Sequence, residues 1–217
     1  MLINSDRRPH PLTAVTYLRK HIVALKNLIL LRPWTDDDRD PFAAMNADTE
    51  VMRCFQKPLT KTESDQFLVR IRTIFDEQGW GLWAVEVDGA FAGLTGLASP
   101  SFSAHFTPCV EIGWRFRREY WGRGIAYAAA SAAQTFAFEQ LKLRELITFT
   151  TAANTRSRRL MERLGFSTSP EDDFLHPLLA PDSPIRPHVL YRKSIASWHA
   201  APSPGGPPRE AGIIQAT

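Results

Sequence analysis

The chain has 217 residues, 44% hydrophobic and 23% charged, which is the size and composition of one globular domain and excludes a fibrous or wholly disordered chain. Its 26 Lys+Arg against 23 Asp+Glu leave a net charge of +3, too mild to argue for nucleic acid by itself. No apolar run approaches the ~20 residues of a bilayer span, and no membrane partner is expected.

Residues 1–26 read as an N-terminal extension. Within it "TAVTYLRKHIVALK" has the spacing of a short amphipathic helix, and the segment lacks the uninterrupted apolar core of a signal peptide. "LILLR" is a short apolar strand closed by Pro33. "TDDDRDPFAAMNA" opens with a capping residue and an acidic first turn, a helix start. "TKTESDQFLVRIRTIFDEQG" carries a Thr60–Glu63 capping box, helical apolar spacing at Phe67, Leu68, Ile71, Ile74 and Phe75, and Gly79 as its stop. The period then changes to two: "WGLWAVEV", the turn "DG" and "AFAGLTGLA" form a hairpin. A loop, "SPSFSAHFTP", leads to the strand "CVEIGWRF". Cys54 and Cys109 make neither a disulfide framework nor a metal cluster, so no metal is expected and both read as thiols of a reducing, cytoplasmic compartment.

After that strand comes "RREYWGRGIA", then a helix from about Ile125 to Leu141. Gly122 and Gly124 let the backbone turn sharply and approach a ligand, and the free N–H groups of the first helical turn favour an anion above them. Neither GxxxxGK[ST] nor G-x-G-x-x-G is present. A basic patch with interleaved aromatics, "RFRREYWGRG", is the competing nucleic-acid reading, and a plain tight turn is the other. "ELITFT" is a strand, "NTRSRRLMERL" a helix, and "GF" its stop. A Pro-rich, acidic connection over 167–187 leads to a last strand, "HVLYRKS". Residues 199–217 are rich in Pro, Gly and Ala and read as a disordered tail, leaving 27–198 as one mixed α/β domain.

"EIGWRFRREYWGRGIAYAAA" together with "NTRSRRLMERLGF" resembles the GNAT acetyltransferases, in particular the branch that acetylates ribosomal-protein N-termini. The resemblance runs from about Leu28 to Lys193. The family signature is Arg or Gln, two residues, Gly, one residue, then Gly or Ala. Trp121, Gly124 and Ala126 stand at its defined positions, with Trp a departure from the general pattern. The resemblance implies a mixed α/β fold with a central, mostly antiparallel sheet of six to seven strands, flanked by helices and splayed between the fourth and fifth strands. It implies acetyl-CoA as co-substrate and an amine as acceptor. It places the backbone of Trp114, Arg115 and Phe116 on the pantetheine arm, and the turn of Trp121, Gly122, Arg123, Gly124, Ile125 and Ala126 on the pyrophosphate. Asn154 would bond the pantetheine region, with Ser157 near the sulfur.

Acetyl transfer from a thioester needs a neutral amine and a proton for the departing thiolate. An α-amino group, with a reference pKa near 8, is roughly a tenth neutral at pH 7, whereas a lysine near 10.4 is neutral only to about one part in a few thousand. Glu111, alternating with apolar neighbours in "VEIG", is the candidate base, its pKa raised by burial. The alternative is a carboxylate held structurally by an arginine. His105 and His176 are lesser candidates, read as exposed or packing histidines. The family's usual acid, a Tyr four residues before the closing Gly, is replaced by Met161, which moves attention to Ser157, one helical turn upstream. Asn154 doubles as a helix N-cap. The "EDD" at 171–173 reads as either a solvated loop or a lure for a cationic acceptor, and Trp34, Trp80 and Trp83 read as core. The expected activity is N-acetylation of a peptide or protein N-terminus by a monomer or homodimer, with no nucleic acid. Small-amine acetylation and a non-catalytic CoA- or RNA-binding module are the alternatives.

Overall fold

The computed structural model describes residues 28–200. The expected helix within 1–26 and residues 201–217 of the tail expected over 199–217 lie outside them, while His199 and Ala200 of that tail are helical, within Ile195–Ala200.

Strand β1 (Ile29–Arg32) alternates, with Ile29 and Leu31 buried. At its end Arg32 donates to both oxygens of the buried Asp38, at 2.6 and 2.8 Å, and to Glu86. Asp38 in turn accepts from the Thr35 backbone N–H, closing a capping box over a short 3-10 turn, Asp36–Asp38. Helix α1 (Arg39–Ala47) follows and buries Phe42 and Met45. Helix α2 (Lys61–Gln78) starts at the reciprocal Thr60–Glu63 box and stops at Gly79 in the left-handed region, as the sequence predicts. Of its apolar positions Leu68, Ile71 and Phe75 are buried, while Ile74 stays exposed.

Strands β2 (Leu82–Val87) and β3 (Ala90–Ala98) form the hairpin, turning on Asp88 and Gly89 with φ of 51° and 85°, the pair of positive φ values a tight two-residue turn requires. Then come β4 (Glu111–Phe116), α3 (Ile125–Glu139), β5 (Glu145–Thr151), α4 (Thr155–Arg163), β6 (Ser167–Thr168), β7 (Phe174–Leu175), β8 (Pro187–Ser194) and α5 (Ile195–Ala200). The sheet runs β1-β2-β3-β4-β5-β8-β6, with β7 also on β8. Every pairing is antiparallel except β4–β5.

Eight strands replace the expected six to seven. The connection 167–187 contributes two of only two residues each, too short to show a period of two. They are held by the edge of β8, by the ion pairs of Arg192 with Asp172 and by Phe174 packed on Phe106 and Phe149. Helix α5, not anticipated, seals the far end by stacking Trp198 on Phe138. Among the described residues no helix is long and apolar enough to cross a membrane.

The splay is present where expected. β4 and β5 pair only at Glu111 and Ile147, with Ile147 N–H donating to Val110 C=O, and then diverge. One face of the sheet carries α3, α4 and α5 on a continuous core containing Trp83, Ile112, Phe136 and Leu146. The opposite face has two separate apolar clusters. One lies under α1 and α2, around Phe42, Leu68 and Leu94, and the other around Phe106, Ile147 and Leu190. Trp34 belongs to the former, while Trp80 and Trp83 sit in the continuous core, so all three tryptophans are structural.

Candidate functional site

A cavity of about 880 Å³ follows the split between β4 and β5, from the segment after α1 through to the first turn of α3 and the outer face of α4.

Its far wall is the glycine turn of "RREYWGRGIA". Gly122 and Gly124 both have positive φ, 72° and 77°, and a side chain built on either would meet only open space. Backbone freedom and clearance therefore coincide at these two positions. Gly124 caps α3, and Ile125, Ala126 and Tyr127 line the cavity with first-turn N–H groups that have no intrahelical acceptor. Trp121 donates its indole N–H to the Phe116 carbonyl at 2.9 Å, and the Arg156 guanidinium lies 4.5 Å from its ring centroid. Arg163 covers Tyr127 in the same way. The Arg123 side chain turns back to the Glu119 carbonyl and the Tyr120 ring, so its backbone alone belongs to the turn.

The edge of β4 supplies hydrogen-bonding groups. Arg117 N–H bonds Ala92 C=O on β3. By antiparallel alternation the backbone of Arg115 also faces β3, opposite Leu94, while that of Trp114 and Phe116 faces the gap. Because Trp121 occupies the Phe116 carbonyl, the Trp114 N–H and C=O and the Phe116 N–H are what this edge offers. Of the three strand residues the resemblance placed on the pantetheine arm, Arg115 thus directs its backbone elsewhere.

Asn154 caps α4. Its Oδ1 accepts from Ser157 N–H at 3.3 Å and its Nδ2 donates to Thr150 Oγ1 at 2.9 Å, so both ends of the side chain are engaged within the fold. Ser157 Oγ accepts from the Trp114 indole N–H at 3.3 Å. Met161, one turn on, is buried and also lines the cavity, offering no proton at the usual acid position.

On the opposite face, Glu111, Gly113 and Arg115 alternate along β4 between the two apolar clusters. Desolvation pushes the Glu111 carboxyl up to about 8, and no arginine among the described residues pairs with it. The position of Gly113 is open where a Cβ would stand. The near wall holds Arg115 with Phe55 and Phe67, and the other wall Phe149, His176 and His188. The two imidazoles pack 5.0 Å apart. Burial lowers both pKa values, and the charge of His188 adds to the effect on His176. His105, in contrast, is exposed and sits 3.6 Å from Asp172. That aspartate is committed to Arg192, which holds its carboxyl below the usual range.

The sequence passed over His188, Asn46, Phe55 and the side chain of Arg115. The one available signal was an arginine on the same face as Glu111 in a strand apolar elsewhere.

Residues 29–167 match the acetyltransferase (GNAT) domain family. The chain is 30% identical over 146 residues to the FsC-acetyl coenzyme A-N(2)-transacetylase of Aspergillus fumigatus, a match covering 63% of this chain and 61% of that protein. Its fold is similar to that of Mycobacterium smegmatis RimJ solved with CoA-disulfide, with a TM-score of 0.61 and 20% identity over 77% of this chain and 82% of the other. It is similar also to spermidine N-acetyltransferase from Vibrio cholerae solved with CoA and spermine, with a TM-score of 0.62 and 16% identity over 78% and 96%. With the family match extending from β1 to β6 and the split sheet formed as the family's fold requires, this chain belongs to the GNAT acetyltransferases.

Proposed function

We propose that the protein transfers the acetyl group of acetyl-CoA to the α-amino group of a peptide or protein N-terminus. The observation that carries this is the single cavity joining the glycine turn on one side of β4 to Glu111 on the other. The turn with its open glycines, the free edge of β4 and the arginines of α4 suit a pyrophosphate on a long polar arm. Bound there, acetyl-CoA supplies an activated acyl carbon.

The residues of the chain supply the proton handling. Glu111, in its ionised form, accepts the proton that the α-ammonium must lose. Its elevated pKa, about 8, matches the α-amine reference near 8 and lies more than two units below lysine, so proton transfer is close to thermoneutral for the former and uphill for the latter. Ser157 takes one hydrogen bond from Trp114 and keeps its own hydrogen to donate, directed to the departing thiolate. The cavity's charged lining is two carboxylates against five arginines, a balance that suits a polycation poorly.

The test is release of free thiol from acetyl-CoA with N-terminal peptides, lysine side-chain peptides and spermidine, the products identified by mass. Acetylation of the peptide α-amine above the others is expected. Binding of CoA with no thiol release for any amine would instead make the protein a CoA-binding module.

A further inference from the structure

Three arginines sit on the strands of the sheet with much of their surface withdrawn from water. Arg32 on β1 holds Asp38 through two nitrogens and Glu86 through a third contact. Arg192 on β8 holds Asp172 through Nε and Nη2, and Glu145 through Nη1. Arg115 on β4 holds no carboxylate among the described residues. Its one hydrogen bond runs from Nη1 to Asn46 Oδ1, and its Nε has no partner.

The surroundings of Arg115 fix it in place. Asn46 is fully buried and donates Nδ2 to Ser64 Oγ at 2.9 Å, which turns its oxygen toward the guanidinium. The Phe55 ring covers the guanidinium with its centroid 4.0 Å from Cζ, and Phe67 stands 5.8 Å away. Desolvation lowers the pKa only to about 10, so the cation persists at neutral pH. With a flat face covered by an aromatic ring, the remaining approach is along the edges, where a guanidinium takes a carboxylate through two parallel hydrogen bonds. A charge withdrawn from water without a counterion is costly, and the fold retains this half-buried one against the cavity.

Arg115, Gly113 and Glu111 share one face of β4. The missing side chain at Gly113 leaves the floor between the other two open. Glu111 and Arg115 are four residues apart, roughly 13 Å along a strand, a span that their side chains and an amino acid or dipeptide bridge together.

We propose that Arg115 is the acceptor anchor, and that the substrates of this enzyme carry a carboxylate close to the amine that is acetylated. This rests on the α-amine chemistry proposed above, adds a carboxylate beside that amine as a requirement, and admits free amino acids beside peptide N-termini. Two sources share that chemistry: the α-carboxylate of a free amino acid, and an acidic side chain at the second position of a peptide. Polyamines lack it and are repelled.

The experiment compares wild type and Arg115→Gln on two pairs, alanine against alaninamide with rates taken per neutral amine, and an Ala-Glu-initiated peptide against its Ala-Gln counterpart. Thiol release gives kcat and KM. Wild type is expected to favour the carboxylate member of one pair by about ten- to a hundredfold in kcat/KM, the scale of a charged hydrogen-bonded contact, and which pair shows it identifies the source. Arg115→Gln removes the preference through acceptor KM, leaving the KM for acetyl-CoA in place. Arg115→Lys, which keeps the charge but not the fork, retains only part of it. If Arg115→Gln does not fold, the wild-type comparison alone decides. Equal turnover of both members of both pairs overturns the anchor while leaving α-amine acetylation standing, as does a preference that survives in Arg115→Gln. Turnover of spermidine with none of the α-amines overturns both.

Discussion

Trp114 on β4 and Ser157 on α4 meet across the split in the sheet, the indole Nε1–H donating to the serine hydroxyl oxygen over 3.3 Å. The bond joins the strand edge to the helix that faces it. An oxygen that accepts from an indole has its hydrogen left to give, which is what the proposed role of Ser157 requires.

Ser157→Ala is therefore expected to lower kcat by about ten- to a hundredfold, the scale of one hydrogen bond to a charged group, with little change in KM for acetyl-CoA. Trp114→Phe keeps the hydroxyl but removes what orients it, and is expected to cost less. Steady-state kinetics with a fixed acceptor tests both, and a full-speed Ser157→Ala enzyme would leave thiolate departure to solvent.

Glu111 makes two pH-dependent predictions. Its carboxyl titrates at about 8 in the fold against an ordinary value of 4.5. In activity, wild-type kcat/KM should rise toward pH 8 as the base ionises. The loss in Glu111→Gln should be largest below that and shrink by pH 9 to 10, where the acceptor amine is already neutral. In stability, a raised folded pKa means that the folded state binds the extra proton. The stabilisation is complete below pH 4.5 and is lost as pH rises through 8. The melting temperature of Glu111→Gln should accordingly overtake that of wild type as pH increases across this window. Parallel melting curves from pH 5 to 9 would contradict the desolvated placement.

At the glycine turn, Gly124→Asp places a negative charge in the open space over the first turn of α3, at a φ of 77°. Non-glycine residues bear roughly 1–2 kcal/mol of strain in that conformation, so Gly124→Ala serves as the control for backbone strain alone. Calorimetry should show CoA affinity falling far more for Asp than for Ala. Equal losses would mean that no anion rests there.

Trp198 packs at 2% exposure, stacked on Phe138 with centroids 5.3 Å apart. Trp198→Ala should destabilise by about 3–5 kcal/mol, lowering the melting temperature by about 10 °C. Because α5 lies away from the cavity, the KM for acetyl-CoA at 20 °C should hold. A shift within the error of the melt would show that α5 does not hold the domain closed.

Local chemistry determined much of this protein in the sequence. The Thr60–Glu63 box, the Asp88–Gly89 turn, the Gly79 stop and the glycines at 122 and 124 each need one conformation that few residues supply, so they are legible without a fold. The alternation around Glu111 was legible for the same reason, because a strand of period two sorts its own faces. Tertiary structure decided what depends on residues distant in the chain. β6 and β7 exist because β8 offers them an edge. Glu111 is a raised carboxylate because its place between β3, β5 and two apolar clusters desolvates it, and no arginine among the described residues pairs with it. Arg115, which local pattern marks only as an odd residue in an apolar strand, becomes an unpaired cation because Asn46, 69 positions earlier, occupies the place that carboxylates take at Arg32 and Arg192. A sequence states which groups a strand turns inward. Only packing states which of them find a counterion, and which are left facing the cavity.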